Sequence, residues 1–271
     1  MEVNSISKGY REYNEDMVIV IKDHLFVVVD AATALCPPHH LPTDGVYLNN
    51  KLKEEILSLY NNKKLKPSNF EKEMNRVSKR LYKDFIKGHK DIKERYQFPC
   101  AAMAFCFIDV CDVHIFTIGD CVAFIRQKDG RCKYISDKTI PLMDKKAVDY
   151  YQSIDIYEFE EMYEVLRKNR DLLNKNGKRA MFSLYPKPNL KFKHQVFDIR
   201  ELSEVYLCSD GYYDAFEDLK FFKSRRALFN IKNDLQDVYH MILSESQKED
   251  TLKRYPRLKR IDDISAVRVT F

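Results

Sequence analysis

Acidic side chains recur in this chain where short apolar segments end or begin. Val205–Cys208 is an apolar, β-favouring segment that stops at Asp210, and Leu25–Val29 stops at Asp30. Other apolar segments adjoin further carboxylates, namely Glu15 and Asp16, Asp120, and Asp262 and Asp263. Carboxylates are seldom buried without partners and repel one another where they converge. A converging set of this kind therefore calls for cations among its members.

Hard divalent ions suit this set of side chains. Mg²⁺ and Mn²⁺ prefer oxygen ligands, and the sequence offers neither a CxxC pair nor a usable cluster of cysteines and histidines for zinc. Two such ions, roughly 3.5–4 Å apart, can bridge a water molecule, lower its pKa and clamp a phosphoryl group. The acidic positions thus predict a metal centre able to direct water at a phosphate ester.

The segments between the first acidic positions predict a hairpin and two helices. Met17–Ile21 and Leu25–Val29 are apolar runs that predict the hairpin. Apolar residues at helical spacing predict helices around Leu52–Tyr60 and Phe70–Phe85. Ser68–Glu71 has the pattern of a capping box for the second helix.

The rest of the chain alternates between strand and helix patterns. A meander is predicted from four strands: Ala101–Ile108, Val113–Ile118, Cys121–Arg126 and Cys132–Ser136. Leu142–Asn176 is predicted to be mainly helical, with a C-cap at Asn176-Gly177, and Arg179–His194 to be irregular. Later elements are predicted at Val196–Ile199 and Val205–Cys208 (strands), Leu235–Ile242 (helix) and Ile264–Val269 (strand). Gly211 is expected to allow a sharp or positive-φ turn after Asp210.

The order of these motifs resembles that of the type 2C metal-dependent serine/threonine protein phosphatases. The matching motifs run through nearly the whole chain: Arg11 four residues before Glu15, the strand ending at Asp30, Gly119-Asp120, Ser209-Asp210-Gly211 and Asp262-Asp263-Ile264-Ser265. The resemblance implies an α+β fold, an αββα sandwich of two packed antiparallel sheets flanked by helices on both sides. It identifies residues 1–271 as a divergent, single-domain, bacterial-looking member.

The resemblance implies one set of metal ligands around the strand that ends at Asp30. Asp30 is similar to the carboxylate that bridges both ions in the family. The carbonyl group of Ala31 takes the place of the backbone ligand that follows it. Asp210 and Asp262 are similar to the remaining ligands of one ion.

Residues of this chain also match the family's ligands of the other ion and of the substrate phosphate. Glu15 resembles the acidic group in the shell of the second ion, with Asp16 beside it. Asp120 is similar to the carboxylate that, with Asp210, holds a weaker third ion. Arg11 stands where the family has its phosphate-binding arginine, and a guanidinium group there can grip phosphate oxygens in bidentate fashion.

Two motifs depart from the family pattern. The family has glycines after the bridging aspartate, whereas this chain has Ala31-Ala32-Thr33-Ala34. Alanine tolerates a positive φ poorly, so the turn is expected to differ. The Gly-Asp-Ser-Arg motif of the family is Gly119-Asp120-Cys121-Val122 here.

The function implied is metal-dependent hydrolysis of phosphoserine and phosphothreonine in proteins. Metal-activated water would attack the phosphomonoester directly, with Arg11 and Asp30 as the catalytic residues. The implied cofactors are Mn²⁺ or Mg²⁺, two per chain, with a weaker third. An alternative is a catalytically degenerate phosphatase-like module that binds or regulates a partner. Another keeps the metal centre but changes the substrate to a small phosphate ester or nucleotide, although the chain has no nucleotide-binding glycine loop.

Composition bounds the partners. The net charge of +5 suits a phosphorylated protein substrate, and without an arginine-rich stripe no nucleic-acid partner is expected. The seven cysteines sit mostly in apolar runs and are expected to be reduced. The chain has no signal-peptide pattern and no membrane-length apolar run, so a soluble, cytoplasmic monomer is expected.

Substrate selection is assigned to a variable flap at Leu142–His194, whose basic part is Lys175–Lys193. A second basic segment, Lys253–Arg260, is expected to be a surface connection.

Overall fold

The three-dimensional structure is a computed structural model of the chain. It describes residues 1–89, 91–137, 139–154, 156–157, 159–175, 179–186, 189–223, 227–230 (the side chains of 228 and 230 excepted) and 234–271. The strands are β1 (Glu2–Lys8), β2 (Asp16–Ile21), β3 (Leu25–Ala31), β4 (Cys100–Ile108), β5 (Asp112–Ile118), β6 (Val122–Gln127), β7 (Cys132–Ile135), β8 (Phe182–Ser183), β9 (Lys193–Asp198), β10 (Leu202–Cys208) and β11 (Ile264–Thr270).

The helices are α1 (Asp44–Asn61), α2 (Phe70–Phe85), α3 (Thr139–Gln152), α4 (Tyr163–Arg170), α5 (Asp210–Tyr213), α6 (Ala227–Asn230), α7 (Leu235–Ser246) and α8 (Thr251–Arg254). Short 3₁₀ segments cover Pro67–Asn69, Arg95–Gln97, Phe159–Met162 and Ile199–Glu201. No helix in the described ranges is both long and apolar enough to cross a membrane.

The strands form two sheets that pack face to face. One sheet has the order β1-β11-β10-β6-β7, and the other has the order β2-β3-β4-β5-β9 with β8 beside β4. Neighbouring strands run antiparallel. Apolar side chains from both sheets meet in one buried cluster, including Val28 and Cys106 from the sheet that contains β3 and β4 and Ile125, Leu207 and Val267 from the other sheet. This cluster is the middle of the sandwich, and burial of apolar surface there holds the sheets together.

Helices cover the outer face of each sheet. Leu52 of α1 and Val77 of α2 are fully buried against the sheet that contains β3 and β4. Tyr212 of α5 and Val238 of α7 pack on the outer face of the sheet that contains β10 and β11. These layers form the αββα sandwich that the motif order implied, so the prediction of the fold class is confirmed.

The predicted four-strand meander is wrong. β4 pairs with β5 and β6 pairs with β7, but β5 and β6 belong to different sheets. The chain crosses between the sheets at Gly119-Asp120, where Gly119 has a φ of +75° and a Cβ there would overlap Ala102. The sequence pattern shows that strands exist, but it does not distinguish a hairpin turn from a crossing.

Other local predictions need correction. Ser68 does not cap α2; the helix begins after a 3₁₀ turn, and the Glu71 carboxylate instead accepts hydrogen bonds from Lys191 Nζ (2.8 Å) and Phe192 N (3.2 Å). β1 was not predicted, because its apolar residues Val3 and Ile6 are three positions apart and do not alternate with polar residues; it lies beside β11. The C-cap predicted at residues 176–177 lies outside the described residues.

Candidate metal centre

The ends of strands from both sheets bring the predicted carboxylates together. Asp16 at the start of β2 lies opposite Asp30 near the end of β3 in the strand register. Asp210 follows β10 in the other sheet, and Asp262 precedes β11, which pairs with β10. Asp120 lies in the crossing between the sheets. The sandwich thus gathers residues that are far apart in the sequence at one edge of the interface between its sheets.

Mutual repulsion shows how closely these groups converge. Burial raises the pKa of Asp30 well above its usual value, and the charges of Asp210 and Asp16 raise it further. Burial and Asp262 raise the pKa of Asp210, while a hydrogen bond with Asp30 and the charge of Lys259 oppose that rise. Asp30 and Asp210 are therefore in direct contact within a group of like charges.

Asp16 contributes a carboxylate oxygen that lacks a hydrogen-bond partner. The residue is only 6% exposed, and its Oδ2 atom is buried without a partner among the described residues. Burial raises the pKa of Asp16 well above its usual value, and a hydrogen bond from Ser209 acts against this rise. A buried, unpartnered carboxylate oxygen is costly, and a bound cation would relieve that cost.

A carboxylate on α3 joins the cluster on the side of Asp120. Burial raises the pKa of Asp120 well above its usual value, and the charges of Asp210 and Asp144 raise it further. Asp144 itself has its pKa raised to about 6 by burial, a rise opposed by Arg170. Sequence reasoning missed Asp144, because its position within a helix gives no signal of the site it faces.

Glu15 is held by its backbone as much as by its side chain. Its N–H donates to Asp263 Oδ2 at 2.6 Å, and its carbonyl accepts from Asn49 Nδ2 at 2.6 Å and from Ala31 N at 3.0 Å. Its carboxylate accepts a hydrogen bond from Thr33 Oγ1 at 3.0 Å. Asp263 therefore has a positioning role that the sequence did not reveal.

Arg11 lies on the rim of this region. It is exposed, on the segment that Asp263 fixes by accepting a hydrogen bond from Tyr10 N at 2.9 Å. Its charge acts against the rise that burial produces in the pKa of Tyr163 on α4. Arg11 thus lies on the segment that leads to Glu15, within electrostatic reach of Tyr163.

The turn after Asp30 continues the strand instead of requiring a positive φ. Ala31 N donates to the Glu15 carbonyl, and Ala32 N donates to the Cys100 carbonyl at 2.9 Å. Residues 31–34 are absent from the positive-φ positions of the described chain. The geometry is compatible with alanine, and the expectation that this turn differs from the family's glycine-rich turn stays a prediction.

Gly211 is required for close approach and not for a positive φ. It lies in α5, and a Cβ on this residue would overlap the carbonyl oxygen of Asp263 and contact the side chain of Asp262. Of the sharp or positive-φ turn expected at Gly211, the positive-φ alternative is therefore wrong. Its lack of a side chain lets the segments that carry Asp210 and Asp262 lie against each other.

Lys259 places a positive charge inside the acidic cluster. Its Nζ lies 2.7 Å from both carboxylate oxygens of Asp262 and 3.0 Å from Thr33 Oγ1. The expectation that Lys253–Arg260 is merely a surface connection is wrong for this residue, whose side chain is 18% exposed. A lysine in a basic run carries no sequence signal that it turns inward.

The donor set fits a divalent cation near Asp16, Asp30 and Asp210. These residues supply hard oxygen ligands, and their mutual repulsion and the unpartnered oxygen of Asp16 would both be relieved by a cation. Within the described ranges, no group of three or more His, Cys, Asp or Glu side chains is gathered closely enough to form a complete metal site. The carboxylates are thus assembled but not closed into a coordination shell.

Comparisons with solved structures agree on the fold. Serine/threonine phosphatase Stp1 from Staphylococcus aureus is 12% identical with a TM-score of 0.57, covering 100% of this chain and 94% of that one. The Mycobacterium tuberculosis serine/threonine phosphatase PstP/Ppp is 12% identical with a TM-score of 0.57, covering 100% and 98%. The catalytic domain of PstP in complex with two manganese ions is 13% identical with a TM-score of 0.56, covering 98% and 96%.

The comparisons by sequence add nothing to this result. No model of a protein family and no curated protein matches the chain. At 12–13% identity, the structural likeness concerns the arrangement of the backbone. The chain therefore has the fold of bacterial serine/threonine phosphatases.

Proposed function

We propose that the chain is a metal-dependent phosphatase that hydrolyses phosphoserine and phosphothreonine in proteins. The observation that carries the proposal is the convergence of Asp16, Asp30, Asp120 and Asp210 from both sheets of a phosphatase fold. A solved structure of the same fold contains two manganese ions, which supports Mn²⁺ as the ion, with Mg²⁺ as the other hard ion that such ligands accept.

The acidic residues divide into ligands and supports. Asp30 and Asp210, which are in contact, would hold the ion together with Asp16. A bound divalent ion lowers the pKa of a coordinated water molecule and offsets charge on a phosphoryl group. Glu15 and the carbonyl group of Ala31 would complete the shell through water or directly.

The chain's own residues orient the substrate around this centre. Arg11 is exposed and free to turn its guanidinium group toward a phosphate, which it would bind through paired hydrogen bonds. Asp120, beside Asp144 and Asp210, would border this centre on the side of the flap. Asp263 keeps the loop of Arg11 and Glu15 in place through the amides of Tyr10 and Glu15.

Replacing ligands tests the proposal. We expect Asp30→Ala and Asp210→Asn each to reduce phosphate release from p-nitrophenyl phosphate by at least about a hundredfold, because the charge that holds the ion is lost. The matched control is Asp129→Asn, since Asp129 is exposed in a turn and pairs with Arg131. Full activity in either site variant would contradict the proposed centre.

A second candidate is a catalytically degenerate module that binds or regulates a partner. The observation that favours it is the engagement of both Asp262 oxygens by Lys259, since a ligand position already paired with an ammonium group is compromised for metal binding. A folded chain that binds no Mn²⁺ by calorimetry and releases no phosphate would favour this candidate.

A further inference from the structure

The ammonium group of Lys259 lies among oxygen atoms of the carboxylate cluster, as a bound cation would. Its ammonium group contacts both oxygens of Asp262 at 2.7 Å and the Thr33 hydroxyl at 3.0 Å. These three oxygen atoms come from two segments that are far apart in sequence, the turn after β3 and the residues before β11. A group with three hydrogen donors and no acceptor suits a set of oxygen acceptors.

Carboxylates from both sheets surround this ammonium group. Burial alone would lower the pKa of Lys259, but Asp262, Asp210 and Asp30 together raise it above its usual value. Lys259 in turn opposes the rise in the pKa of Asp210. The positive charge therefore acts on the carboxylates of both sheets and not on Asp262 alone.

Thr33 links this ammonium group to the other end of the cluster. Its Oγ1 lies 3.0 Å from Lys259 Nζ and 3.0 Å from Glu15 Oε2, to which it donates. Its carbonyl accepts a hydrogen bond from Arg170 Nη1 at 3.0 Å. The non-glycine turn after Asp30 thus supplies a hydroxyl that fixes the lysine in place.

We propose that the ammonium group of Lys259 is a built-in cation that replaces one of two divalent ions, so that the chain binds a single ion at Asp16, Asp30 and Asp210. The inference rests on the metal centre of the proposed function. An ammonium group and a divalent ion cannot share the oxygens of Asp262, because like charges within about 4 Å repel strongly in a partly buried site. Asp262 is then a partner of the lysine instead of a metal ligand.

The number of bound ions tests this inference. We expect the wild-type chain to bind one Mn²⁺ by isothermal titration calorimetry and by metal analysis after gel filtration. Lys259→Met should bind two, because it frees both oxygens of Asp262 while retaining a side chain of similar length. Lys259→Arg keeps the charge and should bind one.

The control is a lysine on α8 in the same basic run. Lys253 is exposed and stacks on Tyr157, with its Nζ 5.7 Å from the ring centroid. Lys253→Met removes the same charge from the chain as Lys259→Met but leaves the carboxylates untouched, and it should bind one ion. A second ion in this variant would mean that overall charge sets the number, which would overturn the inference.

Outcomes for the lysine and for the phosphatase can be separated. Two bound ions in the wild-type chain would overturn the role of Lys259, whether or not Lys259→Met folds. A folded Lys259→Met that still binds one ion would overturn it as well. Phosphate release by the wild-type chain with two bound ions would overturn only that role. No ion and no phosphate release in any folded variant would overturn both proposals.

Discussion

At the scale of single residues, Gly211 sets how closely the segments that carry Asp210 and Asp262 approach each other. A Cβ there would overlap the Asp263 carbonyl oxygen, and Asp263 in turn binds the amides of Tyr10 and Glu15. Displacing Asp263 would therefore move the loop that carries Glu15 as well as the start of α5. The glycine influences both sides of the cluster although it provides no ligand.

Gly211→Ala is predicted to weaken Mn²⁺ binding by at least about tenfold and to lower the free energy of unfolding by about 1–3 kcal/mol, the usual cost of overpacking. The control is Gly130→Ala, at a position with a φ of +83° and open space around it. It strains the backbone far from the cluster, so it should cost stability but leave Mn²⁺ affinity unchanged. Equal Mn²⁺ affinity in the two variants, measured by calorimetry, would contradict the steric role of Gly211.

Asp144 makes stability depend on pH. Its pKa lies at about 6, above the usual 3.8, so the folded chain holds this proton more tightly than the unfolded chain. The stability that this provides is present below pH 4 and is lost as the pH rises to about 6. The groups facing it are Arg170, Asn169, Asp210 and Lys259.

Asp144→Asn is predicted to gain stability relative to the wild-type chain by up to about 3 kcal/mol between pH 4 and pH 7, since two pK units correspond to that free energy. Urea unfolding in the presence of chelator measures the difference. Asp149→Asn, an exposed change on the same helix, is the control. Its free energy of unfolding should depend on pH in the same way as that of the wild-type chain. If the free energy of unfolding of Asp144→Asn also had the pH dependence of the wild-type chain, the carboxylate of Asp144 would not be desolvated.

Single residues were predicted from the sequence only where a local pattern marked them. Asp30 and Asp210 stand where an apolar strand stops, which is visible without a structure. Lys259 and Asp144 reach the same cluster through tertiary contacts, from a basic run and from a helix. Their roles depend on which way a side chain turns, and local sequence does not determine that.

At the scale of elements, α4 is fixed to the turn that follows Asp30. Arg167 Nε donates to the Leu35 carbonyl at 2.8 Å, and Arg170 Nη1 donates to the Thr33 carbonyl at 3.0 Å. Leu35 and Leu166 also belong to one small apolar cluster. Helix α4 and the turn after Asp30 therefore form one connected unit.

Arg170→Met is predicted to speed amide hydrogen exchange in α4 by at least about tenfold, because a hydrogen bond from a charged donor contributes about 1.5–3 kcal/mol. The control on the same helix is Lys168→Met, which removes only the exposed i,i+4 pair with Glu164 and should change exchange little. Exchange is measured by mass spectrometry on peptides covering Tyr163–Arg170. Identical rates in both variants would mean that the arginine does not hold the helix.

Helices and strands were predicted best where one face is buried and the apolar residues recur at a clear helical or strand spacing. β2, β3 and α2 follow such patterns and lie where the sequence places them. The first strand, β1, lies at a sheet edge, and its residues are mostly exposed, which weakens the alternation. The capping box failed because Glu71 binds Lys191, a partner 120 residues away.

At the scale of the whole molecule, crossings between sheets create the site. The chain leaves one sheet after β5 and enters the other at β6, and Asp120 lies in that crossing. No periodic pattern of apolar residues marks this crossing between β5 and β6, so the prediction of a meander failed. The sandwich itself was correctly implied by the order of the motifs. The long-range pairing of β10 with β11 brings Asp210 and Asp262 together in the same way.

The most direct measurement is phosphate release from a phosphothreonine peptide by the wild-type chain with Mn²⁺, with Mg²⁺ and with chelator. The carboxylate cluster predicts release with a divalent ion and none with chelator, restored when Mn²⁺ is added back. Absence of release with either ion, from a chain shown by circular dichroism to be folded, would contradict the proposal that this cluster is a hydrolytic metal centre.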